Sequence, residues 1–225
     1  KNSNGTTADT TVYSTTDQVN HATTFIEENE ANGTPWFAWV AFNAPHTPFH
    51  DPPPELAPDS GYSIQESGES NNQFRYRKAL EALDTEIGRL LEAGNPARTQ
   101  VILLGDNGTP NQVVQAPFGE GNSKGDLYNG GIHVPMIAKG PWVDVEAGSS
   151  TEKLVHCIDL LSTILELAGI DETAVPSLSS QSVRSQSIVP ILKGNDIQDR
   201  FVVAERTGTT NGRAIIAGDY PDYKL

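Results

Sequence analysis

Hydrophobic positions recur at three- and four-residue intervals in three stretches of the chain, and each stretch predicts a helix. Val19, Ala22 and Ile26 share one face with Phe25 beside them; Thr16 is the expected N-cap and Gly33 the stop. Leu80, Leu83, Ile87, Leu90 and Leu91 form the clearest stripe, in a helix over 74–91 that Gly94-Asn95-Pro96 ends. Leu154, Ile158, Leu161, Ile164 and Leu165 repeat the spacing before Gly169. Between these lie continuous apolar runs, which predict strands covered on both faces: Trp36-Phe37-Ala38-Trp39-Val40-Ala41-Phe42 and Val101-Ile102-Leu103-Leu104, with a third strand over 134–138. Phe201-Val202-Val203-Ala204 and Arg213-Ala214-Ile215-Ile216 flank Gly208-Thr209-Thr210-Asn211-Gly212. That arrangement predicts a β-hairpin, since Asn-Gly supplies the positive φ of a tight turn. Residues 1–15, 51–72 and 170–187 are polar or Pro-rich and read as irregular.

Buried strands alternating with helices define the expected fold class, an α/β domain with a mostly parallel sheet flanked by helices and a short C-terminal β-hairpin. In such sheets ligands gather beyond the carboxyl ends of the strands. Two polar clusters occupy those places here, Asn43 to His46 after one strand and Asp106-Asn107 after another.

Composition narrows the function. The chain of 225 residues carries 15 Lys+Arg against 29 Asp+Glu, a net charge of -14. Nucleic acid is thereby disfavoured, because a binder needs a basic face to displace counterions, and so is docking on anionic membrane. No apolar run reaches the roughly 20 residues needed to span a bilayer, so membrane insertion is not expected. Cys157 is the sole cysteine, which leaves neither an intrachain disulfide nor a Cys-rich zinc site; inside an apolar helix it reads as a buried structural thiol. Lys1 in place of Met, with no apolar segment behind it, suggests a chain that begins mid-gene or after processing.

Four residues at three places in the chain are candidates to carry chemistry. Asp106 and Asn107 set a carboxylate beside an amide oxygen, hard donors suited to Ca²⁺ or Mg²⁺, between Gly105 and Gly108. The same tripeptide also forms simple turns through local hydrogen bonds. His46, in Pro45-His46-Thr47-Pro48, can donate to an anion or protonate a leaving group, or else bond a loop carbonyl; His50 follows closely. Lys124 lies in Gly121-Asn122-Ser123-Lys124-Gly125, where it is either a point charge for an anion or a solvated lysine. The loop matches neither the P-loop nor the dinucleotide fingerprint.

The order of these features is more specific than any one of them. Strand then Pro-His-Thr-Pro, helix, strand then Asp106-Asn107-Gly108, and Lys124 ahead of Gly130-Gly131-Ile132-His133-Val134-Pro135 together resemble the type I sulfatases of the alkaline phosphatase superfamily. Leu154 to Leu165 resembles the family's helix after the Gly-Gly segment, Ser187-Ile188-Val189-Pro190-Ile191-Leu192-Lys193-Gly194 its later apolar stretch, and Tyr13 to Ile26 the helix before the Pro-His motif. The resemblance implies a sulfatase-like domain over 1–198 and the start of a smaller antiparallel subdomain over 199–225. It also implies that Asp106 and Asn107 bind a divalent cation, usually Ca²⁺, with Mg²⁺ the other candidate. His46 and Lys124 would contact the sulfate, His46 near the leaving oxygen. The implied substrate is a small-molecule or carbohydrate sulfate ester, and the implied location periplasmic or secreted.

The family's nucleophile, a formylglycine made within Cys/Ser-x-Pro-x-Arg, has no counterpart in this chain, nor does the Asp-Asp pair that completes the metal site. The expectation is therefore a fragment lacking the N-terminal half of the domain, inactive alone, with that half as its partner. Gly105 stands where the family often has Ser, and His133 where Arg commonly follows Gly-Gly-Ile. Two other readings stand beside this one. A phosphatase or phosphonate hydrolase of the same superfamily would show Asp-His-Gly and more histidine ligands. A catalytically silent anion-binding fragment would need no nucleophile.

Overall fold

A computed structural model describes residues 2–3, 6–7, 11–58, 68, 70–175, 185–207, 211–217 and 220–224. The chain divides into two compact units, Lys1–Pro96 with Gln112–Gln115, and Ala97–Asn111 with Ala116–Leu225. Most of the expected loop over 51–72 that follows residue 58 lies outside the described residues, as does the middle of 170–187 and the tip of the C-terminal hairpin at 208–210.

The first unit opens with a short antiparallel ladder of β1 (Asn2–Ser3) on β2 (Thr6–Thr7), where the polar composition predicts irregular chain. Helix α1 (Ser14–Asn32) ends as expected at Gly33, whose φ of 64° places it in the left-handed region. Its start is three residues earlier than Thr16 suggests: Thr16 lies inside the helix, and the N-cap position is Tyr13, without a side-chain cap bond. Helix α2 (Asn71–Glu92) likewise starts before the apolar stripe, at a capping box. Ser70 Oγ accepts the Gln73 amide at 3.2 Å, and Gln73 Oε1 accepts the Ser70 amide at 3.0 Å.

The face that α2 buries differs from the leucine stripe. Ala79, Ala82 and Glu86 are buried, whereas Leu80 and Leu91 are exposed. Small residues let a neighbouring backbone approach closely, and α1 supplies Thr15, Val19 and Ile26 to the same unit's core. Glu86, only 1% exposed, is satisfied from both helices. Thr16 Oγ1 donates to its Oε1 at 2.5 Å, and Arg89 Nε to its Oε2 at 2.8 Å. The run 36–42 forms no ladder among the described residues. Its side chains alternate between half-buried and exposed, with Phe37 and Trp39 outward, so the expectation of a strand covered on both faces is corrected. Gln18 Nε2 donates to the Ala41 carbonyl at 2.7 Å and Trp36 Nε1 to Glu30 at 2.9 Å, which tie the segment to α1 instead.

In the second unit β3 (Val101–Leu104) pairs with β4 (Met136–Lys139), Leu104 opposite Met136 and Val101 opposite Lys139. The pair is antiparallel, as is every ladder among the described residues, so the parallel pairing expected from the strand–helix alternation is not found there. The reason is the connection. A parallel return needs a crossover of a dozen or more residues, usually helical. The segment 105–135 instead holds a 3₁₀ turn (Asn111–Val113) and one helical turn, α3 (Asn129–Ile132), and brings the chain back beside β3 head to tail. The ribbon is also less buried than its composition predicts, for Leu103 and the Ile137 opposite it are both exposed.

Helix α4 (Asp159–Leu167) starts later than the apolar spacing suggests. Cys157 sits in the turn before it and is exposed, which corrects the buried-thiol expectation. The start is set by Asp159, 1% exposed, whose carboxylate accepts the His156 amide at 2.7 Å and the Gln186 amide at 3.0 Å. After a 3₁₀ turn (Glu172–Ala174) and α5 (Val189–Leu192) come three antiparallel strands, β5 (Phe201–Arg206), β6 (Gly212–Ala217) and β7 (Tyr220–Lys224). The expected hairpin is the β5–β6 pair, with Phe201 opposite Ala217 and Arg206 opposite Gly212. No helix among the described residues is long and apolar enough to cross a membrane.

Candidate active site

Strand β3 ends at Leu104, and the next residues turn across the end of the ribbon. Gly105 N–H donates to the Pro135 carbonyl at 3.0 Å, which holds the turn against the start of β4. Asp106 and Asn107 follow, both exposed. The Asn107 amide nitrogen donates to the Gly108 carbonyl at 3.0 Å, so its oxygen is left to accept or to ligate.

Gly108 explains why the tripeptide ends in glycine. Its N–H donates to the Gly131 carbonyl at 3.0 Å, and a Cβ built on it would overlap the Gly130 carbonyl oxygen. Here the absence of a side chain serves backbone-to-backbone packing, where the sequence suggests room for a ligand. Gly130 and Gly131 are needed for the same reason. A Cβ on either would run into the carbonyls of Asn122, Ser123 or Asp126 in the preceding loop.

Lys124 is seated by the same packing. Its amide donates to the Thr109 carbonyl at 2.9 Å, two residues beyond Asn107. Asn111 Oδ1 accepts the Gly121 amide at 3.3 Å and also the hydroxyl of the fully buried Ser123. Lys124 itself is half-buried, and its ammonium has no ion-pair partner among the described residues. The structure thus brings the Asp106-Asn107 turn and the lysine loop together through backbone bonds. His133, at the end of α3, is exposed and contributes only its amide, donated to the Asn129 carbonyl at 2.9 Å.

His46 belongs to the first unit. Its amide donates to the Asn43 carbonyl at 2.8 Å, and its ring Nδ1 lies 2.9 Å from the Thr47 carbonyl. A carbonyl only accepts, so Nδ1 carries the proton, and Nε2 is free of partners among the described residues. Pro45 and Pro48 both follow cis peptide bonds. His50 is held alike, Nδ1 at 2.9 Å from the Pro48 carbonyl, with the Tyr13 ring edge-on at 5.9 Å.

Asp106 and Asn107 suit a hard cation, but among the described residues no third His, Cys, Asp or Glu joins a metal-holding group. The pair fits part of a coordination shell and leaves the rest to other oxygen donors.

Two side chains that the sequence pattern does not single out prove central. Asp159 anchors the segment before α4, and Asp126, two residues past Lys124, pairs with Arg206 at 2.5 Å. A polar residue at an inward position of an alternating strand is the one signal for Arg206, since Val202, Ala204 and Arg206 share the less exposed face of β5.

Together these features define an α/β protein, and the fold is shared with known structures. The crystal structure of Ps i-CgsB aligns over 94% of this chain and 46% of its own, with a TM-score of 0.78 at 25% identity. The same protein in complex with k-i-k-neocarrahexaose gives 0.77 over the same spans. The Sulfatase family model matches residues 1–170, and the chain belongs to that family. A sulfatase from Formosa agariphila is 30% identical over 187 residues, 75% of this chain and 32% of its own length. The N-acetylgalactosamine-6-sulfatase of Canis lupus familiaris is 27% identical over 213 residues, 90% of this chain and 36% of its own. The chain spans about a third of the length of these curated relatives.

Proposed function

We propose that this chain forms part of a sulfuric ester hydrolase that cleaves sulfate monoesters of carbohydrates. The observation that carries the reading is the bond from the Lys124 amide to the Thr109 carbonyl, 2.9 Å, which seats the lysine loop just past the Asp106-Asn107 turn. A sulfate monoester is anionic, and charge builds on its oxygens as the S–O bond breaks. Lys124 would bind and orient that group through its ammonium. Asp106 and Asn107 would hold a divalent cation, Ca²⁺ or Mg²⁺, which when bound supplies further charge stabilisation to the sulfate oxygens.

His46 is assigned to the leaving oxygen. With Nδ1 committed to the Thr47 carbonyl, the proton a charged imidazole can hand over is the one on Nε2. The nucleophile is proposed to be a formylglycine on an upstream half of the domain, with a periplasmic or secreted location by analogy with relatives. Carbohydrate as the substrate class is supported by the neocarrahexaose complex of the structural neighbour and by the amino-sugar sulfatases among the relatives.

The test is hydrolysis of an aryl sulfate and of sulfated oligosaccharides by the complete gene product, with peptide mass analysis for formylglycine. Lys124→Ala and Asp106→Ala should each lower kcat/KM by about a hundredfold or more. Undiminished turnover in both variants, or a complete product without formylglycine that releases no sulfate, overturns the assignment.

A further inference from the structure

The loop carrying Lys124 is rich in glycine, with Gly121 and Gly125 both at positive φ, and such backbone has many alternatives to one geometry. Its near side is held by Thr109 and Asn111. Its far side is held by a part of the chain that the family motifs do not include. Arg206 Nη1 lies 2.5 Å from Asp126 Oδ1 across 80 residues of sequence, and this pair is part-buried, at 35% and 20% exposure. Next to it, a Cβ on Gly212 would come within 3.1 Å of Leu127 Cδ1. Arg206 ends β5, Gly212 begins β6, and the two are opposite each other in the ladder. One end of the C-terminal sheet therefore grips the two residues that lie two and three positions past Lys124.

We propose that Arg206 is a positioning residue for Lys124. Through Asp126 it holds the lysine loop in the arrangement whose Lys124 amide bonds the Thr109 carbonyl, just past the Asp106-Asn107 turn. The proposal rests on the assignment of Lys124 to the sulfate group. A partly exposed ion pair adds little to global stability, so the tether acts on the site more than on the fold. A fixed charge is worth more at a reacting group than one that must be ordered during the reaction.

The experiment compares Arg206→Met, Lys124→Ala, the double variant, and the charge-swapped pair Asp126→Arg with Arg206→Asp, all in the complete gene product. Arg206→Met should lower kcat/KM on an aryl sulfate by about ten- to a hundredfold, with little change in Tm. The double variant should be no worse than Lys124→Ala alone, because the tether has no effect without the ammonium it positions. The swapped pair should regain much of the loss. Amide exchange over residues 121–128 should rise in Arg206→Met, a readout independent of turnover. Losses that multiply in the double variant, or unchanged exchange in that loop, overturn the proposal. Full activity of Arg206→Met beside a crippled Lys124→Ala overturns it alone. Full activity of Lys124→Ala overturns the sulfate contact itself, and the role of Arg206 with it.

Discussion

Arg200 reaches back 41 residues to grip both carboxylate oxygens of Asp159, one through Nη1 at 2.9 Å and the other through Nη2. Asp159 also receives the amides of His156 and Gln186, so one side chain joins the start of α4, the approach to α5 and the approach to β5. Removing the guanidinium leaves a buried carboxylate without its counter-charge. Arg200→Ala should therefore cost about 3–5 kcal/mol, measured by chemical denaturation. A loss below 1 kcal/mol would show that solvent reaches Asp159 once Arg200 is gone.

Thr16 gives a second stability prediction, through the hydroxyl it donates to Glu86 Oε1. Thr16→Ser should be near neutral, since the hydroxyl remains, whereas Thr16→Val should cost about 1–3 kcal/mol by stranding a buried acceptor. Equal stability of the Ser and Val variants in thermal unfolding would remove Thr16 from the network.

Two glycines should respond in opposite directions to the same change. Gly88 lies inside α2 with open space where its Cβ would be, so Gly88→Ala should stabilise by about 0.5–1 kcal/mol. Gly108→Ala meets the Gly130 carbonyl and the Gly131 Cα and must push two backbones apart, at about 1–3 kcal/mol. It should also depress turnover, because the displaced turn carries Asp106 and Asn107. Melting curves of the two variants that move the same way would exclude this packing.

A pH dependence belongs to Lys153. Its ammonium donates to Asp199 at 3.0 Å and lies 3.3 Å from Asp196. The hydrogen bond to Asp199, then that to Asp196, raise its pKa above the ordinary 10.5. The sign follows from which state binds the proton more tightly, here the folded one. The cluster's contribution is fully present below pH 10.5 and is lost as pH climbs through the raised value. An NMR titration of the Lys153 ε-methylene should place its midpoint above the ordinary 10.5. A midpoint at or below 10.5 would show that the bridge does not form in solution.

The helices were legible in the sequence because apolar spacing and stop signals act locally, as Gly33 and Gly169 show at positive φ. The faces those helices bury were not. The leucine stripe of α2 points to Leu80 and Leu91, whereas the unit packs Ala79, Ala82 and Glu86 inward. Periodicity reports which residues share a face, but α1 selects the one that fits closely, and it brings the hydroxyl that makes a carboxylate tolerable there. The hairpin was legible for the same local reason as the helices, whereas the direction of β4 against β3 depends on what the 31 residues between them do.

The sequence by itself determined which residue types stand at each turn: a carboxylate and an amide after β3, a lysine between glycines, a histidine between prolines. It thereby determined membership of the sulfatase family, since that order does not depend on packing. Only the tertiary structure decided what holds these groups. Arg206 meets Asp126, and Arg200 meets Asp159, across 80 and 41 residues. Periodicity marks at most one side of such a pair, as with Arg206 on the inward face of β5, because its partner is chosen by the path of the chain.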